Sequence, residues 1–132
     1  MQAGAPCLQV TATMKKTVFI LDRDPQNSRR LGDLLTLNGY ASRTLADFQS
    51  LETGLLRSAC LAVILNIDSI QPDRHRIRRL QAHHPGLYIL CVSEKSFHPQ
   101  LKDIIQEHIY ACLKKPVDGE ELVFWLKSIE KN

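Results

Sequence analysis

No apolar run among the 132 residues approaches the roughly 18–20 positions a membrane helix needs. The first thirteen residues, Met1 to Thr13, have neither a basic start nor a long apolar stretch, so they do not read as a secretory signal. Cysteine is present four times (Cys7, Cys60, Cys91, Cys112), but no CxxC and no Cys/His ligand spacing occurs, which speaks against a structural zinc site. Three of the cysteines lie in apolar surroundings and are expected to be reduced, packed thiols of a cytoplasmic protein. Internal repeats and low-complexity linkers are missing too. The net charge of +3 is too small to be a nucleic-acid signature by itself. What is left, 44% hydrophobic and 23% charged, is the composition of one globular domain able to fold without staples. Met14-Lys15-Lys16 looks like a natural beginning, and residues 1–14 are expected to be a disordered extension of a domain spanning 15–131.

The chain is organised around Leu61 to Asp68, whose first five residues are all apolar before Asn66 and Asp68 arrive. A continuous apolar run of this kind suits a strand covered on both faces in a parallel sheet. Thr17 to Leu21, Tyr40 to Thr44, Leu87 to Val92 and Ile109 to Leu113 are four further strand candidates. Between them lie helical patterns. Asp24-Pro25 reads as an N-cap with proline at the first helical position, and Asn38-Gly39 as that helix's stop. Further helices are expected over Ala46–Arg57, Asp73–His83, Pro99–Glu107 and Asp118–Ile129. Strand and helix alternate five times, which predicts an α/β domain with a five-stranded parallel sheet and helices on both faces. The strand order expected is flavodoxin-like, 2-1-3-4-5. In such sheets ligands meet the carboxyl ends of the strands, where this chain places Asp22, Arg23, Asp24, Asn66, Asp68, Ser93 and Lys115.

This set, in this order, resembles the receiver domain of bacterial response regulators, the phosphorylatable module of two-component (phosphorelay) signalling. Asp22-Arg23-Asp24-Pro25, Leu34-Leu35 and Gly39-Tyr40 match the family's opening. Asn66 then falls at the acceptor position, Ser93 at the hydroxyl position and Lys115-Pro116 at the pair that has a cis peptide. The resemblance implies a magnesium site in the acidic cluster, and a lysine that grips a phosphoryl oxygen. Three departures put that chemistry in doubt. Arg23 replaces a metal-binding carboxylate, Asn66 replaces the nucleophile, and Cys112 replaces the aromatic residue that swings on activation. An amide is no nucleophile for phosphoryl transfer, and two units of added positive charge weaken a magnesium site. Arg23 could substitute for the ion by pairing with Asp22, Asp24 or Asp68. The reading is a pseudo-receiver: not an enzyme, with no cofactor beyond weak magnesium at Asp22, Asp24 and Asp68. It would act through a protein partner or homodimer contact over Pro99–Ile129, and no membrane is involved.

Two alternatives stand beside it. Asp68, followed four residues later by Pro72, could itself be a working acceptor. The face bearing Arg74, Arg76, Arg78 and Arg79 could bind nucleic acid, although without interleaved aromatics it reads better as a solvated face. Asp22 and Asp24 serve equally as helix caps, and Ser93 as a strand end. Lys115 is expected to bond Asn66 or an acid. Of the adjacent Phe124 and Trp125, one belongs in the core and the other on a contact surface.

Overall fold

β-Branched and aromatic side chains suit a pleated surface covered on both faces, so the apolar runs become strands. The computed structural model describes residues 16–96 and 98–132, and the expected N-terminal extension lies outside them. The strands are β1 (Thr17–Leu21), β2 (Ala41–Leu45), β3 (Ala62–Asn66), β4 (Tyr88–Ser93) and β5 (Ala111–Lys114). They form one sheet in the order β2-β1-β3-β4-β5, every neighbour parallel. The expected fold class is therefore what the chain adopts.

The helices are α1 (Pro25–Leu37), α2 (Phe48–Arg57), α3 (Arg74–His83), α4 (Lys102–His108) and α5 (Gly119–Lys131). Each strand sends alternate side chains to opposite faces. Val18 and Ile20 of β1 meet Leu31 and Leu35 of α1 and Leu122 and Leu126 of α5. Phe19 and Leu21 meet Leu51 and Leu55 of α2 and Ile77 and Leu80 of α3 on the other side. All of β3 is buried, as a central strand flanked by β1 and β4 should be.

Helix starts follow their caps. Asp24 accepts from Gln26 N–H ahead of Pro25, and Asp73 accepts from His75 and Arg76 N–H. The second helix begins two residues later than expected, because Asp47 caps it through Ser50 N–H. The segment expected to be helical from Pro99 is a 3-10 turn (Pro99–Leu101) leading into α4. β5 starts two residues late because Ile109 N–H still closes α4 on Ile105. Gly39 stops α1 with a φ of 86°, a left-handed conformation that glycine adopts without a Cβ clash. Helix α4 buries none of its residues fully, although Ile104 packs against the core on the Phe19 face of the sheet.

Candidate functional site

Because β1 and β3 are adjacent, their carboxyl ends bring Asp22 against Asn66. Asp22 is 3% exposed and Asn66 is fully buried. Asn66 Nδ2 donates to Asp22 Oδ1 at 2.8 Å, while Asn66 Oδ1 accepts from Asp68 N–H at 3.0 Å. An aspartate at 66 would instead set two carboxylates against each other. Asp22 Oδ1 also accepts from Asp24 N–H (2.8 Å) and Ser69 Oγ (2.9 Å), and its Oδ2 accepts from Asn27 Nδ2 at 2.7 Å. Buried acids need such partners, and Asp22 has four.

Arg23 does not join this cluster. Its Nε donates to the Ala46 carbonyl at 3.0 Å, and its own N–H donates to Ser69 Oγ. No ion pair links it to Asp22, Asp24 or Asp68 among the described residues, so the expectation that its guanidinium substitutes for an ion is corrected. The reason is geometric: residue 23 is exposed, and its side chain leaves the pocket toward the β2–α2 loop.

Asp68 occupies the other half of the site. Its Oδ1 accepts from Ser93 Oγ at 2.8 Å, and its Oδ2 accepts from Glu94 N–H at 2.8 Å and lies 3.0 Å from Lys115 Nζ. The Asp68 side chain is 30% exposed and that of Lys115 only 13%. Partial burial pushes the Asp68 carboxyl up, but hydrogen bonds from Glu94 N–H, Ser93 and Lys115, with the Lys115 charge, hold it below the usual carboxylate range. Lys115 thus bonds an acid, the second of its two expected partners. Lys115-Pro116 is a cis peptide, and Arg30 ties α1 to the same loop through the Val117 carbonyl.

All four carboxylate oxygens of Asp22 and Asp68 hold protein donors, and Asp24 Oδ1 caps Gln26. No group of three or more metal-ligating side chains occurs among the described residues. Magnesium wants free anionic oxygens in an octahedron, and these carboxylate oxygens are already held by protein donors. Ser69, Asn27 and the Glu94 amide are site groups that sequence reasoning did not find. Ser69 directly follows Asp68 and Asn27 lies one helical turn into α1, so neither carries a motif of its own.

Cys112, on exposed β5, is bridged to the buried Cys91 of β4, its partner in strand register. The expectation of reduced thiols is corrected for this pair, because parallel register puts their Cα atoms 4.7 Å apart on one face of the sheet, within disulfide reach. Cys60 is free, and burial pushes its thiol up to about 12. Trp125 packs against Tyr110 and the core, whereas Phe124 is 63% exposed, so the pair divides as expected.

No protein-family model matches the chain, and no curated protein does. Solved structures do. The signal receiver domain of an HD domain-containing protein from Pseudomonas fluorescens is 19% identical over 89% of this chain and 95% of that one, with a TM-score of 0.77. The receiver domain of a sensor histidine kinase from Pseudomonas aeruginosa, which has a magnesium ion coordinated in its active site cleft, is 16% identical. It covers 89% of this chain and 99% of that one, at a TM-score of 0.76. NtrX from Brucella abortus is 18% identical at a TM-score of 0.75, over 89% of this chain but only 26% of its own. At these identities the likeness is one of fold: the chain has the receiver fold of response regulators.

Proposed function

We propose that this chain is a receiver-fold signalling module of the two-component type that works without accepting a phosphoryl group. The observation that carries this reading is the seat of Asp68. Its carboxylate already holds a hydroxyl, a backbone N–H and an ammonium, a donor set suited to the oxygens of a phosphoryl group. At the neighbouring position Asn66 offers an amide where transfer requires an ionised oxygen nucleophile. Asp22, the remaining buried acid, is already saturated by four donors. The module therefore needs no magnesium and turns over no substrate.

Its output is contact with another protein or a second copy, through the segment Pro99–Ile129. That segment carries the lightly packed α4 and the exposed Phe124. No helix of the described residues is long and apolar enough to cross a membrane.

The test is the intact mass of the protein after treatment with acetyl phosphate and magnesium, alongside amide NMR of a magnesium titration. The expected result is no phosphoryl gain and no saturable shift at Asp22, Asn66 or Lys115. Arg23→Asp combined with Asn66→Asp should gain magnesium-dependent shifts at those positions. A phosphoryl gain in the unmodified chain that is lost in Asp68→Asn would sink this reading and make Asp68 the acceptor.

A further inference from the structure

A cavity of about 660 Å³ opens between α4 and β5, within the range of small-molecule sites. Cys112 lies in its wall, beside Ile105 and Leu113, with Lys95, His98, Lys102 and Lys114 around it. No carboxylate occurs among the described lining residues. The cavity is lined mostly by apolar surface, has three lysines and no carboxylate in its described lining, and is bounded by one sulfur of a disulfide. Its other sulfur, on Cys91, is on a strand whose residue 91 is 1% exposed.

We propose that the Cys91–Cys112 pair is a thiol–disulfide exchange site for an anionic low-molecular-weight thiol of the glutathione class, taken up in this cavity. The two sulfurs are unequal in access, which sets the order of events. The incoming thiolate attacks Cys112 Sγ, the exposed end, forming a mixed disulfide there. The Cys91–Cys112 bond breaks and its electron pair leaves on Cys91 Sγ, which takes a proton from solvent. A second thiolate attacks the sulfur of the bound small thiol and releases Cys112 as its thiolate, which takes the second proton from solvent. The protein gains two electrons and two protons, and two small thiols become one small disulfide. The reverse sequence closes the bridge.

The lysines attract a thiol bearing carboxylates. Cys60 is the contrasting case: burial pushes its thiol up to about 12, and the cavity it lines holds both Lys16 and Glu130. The bridge also joins β4 to the edge strand β5 at the wall of this cavity, so opening it leaves that edge held to β4 by the sheet pairing alone. This inference stands apart from the reading of Asp68, whose site could fail to bind phosphate whatever the cysteines do.

The experiment uses the full chain with Cys7→Ser, equilibrated natively in glutathione buffers of graded reduced-to-oxidised ratio. Samples are acid-quenched, alkylated and analysed by peptide mass. A reversible two-hydrogen transition at Cys91 and Cys112, with Cys60 unchanged throughout, is expected. In Cys91→Ser a single glutathione adduct should form on Cys112. Lys102→Gln with Lys114→Gln should slow reduction by glutathione several-fold, while leaving reduction by the neutral 2-mercaptoethanol unchanged. A bridge reduced only after denaturant is added would overturn the proposal, because it would then be a structural staple. Free thiols at 91 and 112 in every buffer would also overturn it, as would equal slowing for both reductants.

Discussion

Asp68 carries a negative charge that the fold has already used. Replacing it with asparagine would leave the Lys115 ammonium, 13% exposed, without its anion, and would weaken the charge-assisted bonds from Ser93 and Glu94. Asp68→Asn is expected to cost about 1–2 kcal/mol at neutral pH, read as a lower urea midpoint with an unchanged slope. The pH dependence has a definite sign. The folded carboxyl sits below its unfolded value of about 4, so its stabilisation is complete above that value and fades as pH falls through the folded one. A wild-type minus Asp68→Asn stability difference that failed to shrink in acid would remove Asp68 from this role. Asn66→Asp probes the opposite error. It would bury a second carboxylate close to Asp22 Oδ1, which Asn66 Nδ2 now meets at 2.8 Å, where residue 66 is fully buried and Asp22 only 3% exposed. A loss of about 3 kcal/mol at neutral pH is expected, partly recovered in acid as one of the pair takes a proton. Equal stability at both pH values would mean that the site relaxes or admits a compensating cation.

The elements were legible wherever periodicity and capping spoke together. Thr17 to Leu21 is β1 to the residue, because an apolar run there ends at an acidic pair and a proline. The start of α3 was readable from Asp73, whose carboxylate takes two N–H groups that the first turn would otherwise leave unpaired. Asp73→Ala should therefore cost about 1 kcal/mol, checked by thermal unfolding, whereas Asp73→Asn should be nearly neutral. What was not legible depended on side-chain direction. Nothing in the order Asp22, Arg23, Asp24 says that the arginine turns outward to the Ala46 carbonyl. The seat of Asp68 is equally hidden, because a side chain two residues past a strand end can point to either edge of the loop. The Cys91–Cys112 bridge needs β4 and β5 in register, and that follows only from the assembled sheet.

At the scale of the molecule, the receiver fold puts every acid of the cleft at one edge of the sheet and leaves α4, β5 and α5 as a flank bearing the exposed Phe124 and a cationic cavity. The formal charge of +3 is distributed in a way that argues against nucleic acid as the partner of the α3 face. Arg74 reaches Glu107 at 3.0 Å, Arg79 reaches Glu52 at 3.3 Å, and Arg76 lies 4.0 Å from Asp73. Exposed pairs of this kind add little stability, yet each one cancels a charge that a phosphate would otherwise meet. With three of the four arginines so engaged, few counterions would be released on contact with DNA. The logarithm of the binding constant should fall with the logarithm of salt at a slope shallower than about −2, against about −0.9 per neutralised phosphate. Fluorescence anisotropy of a labelled duplex across a salt series measures this directly. A slope of about −4 or steeper would require the Glu107, Glu52 and Asp73 pairs to open on contact. In that event Arg74→Gln and Arg79→Gln should each reduce the slope by close to one phosphate's share.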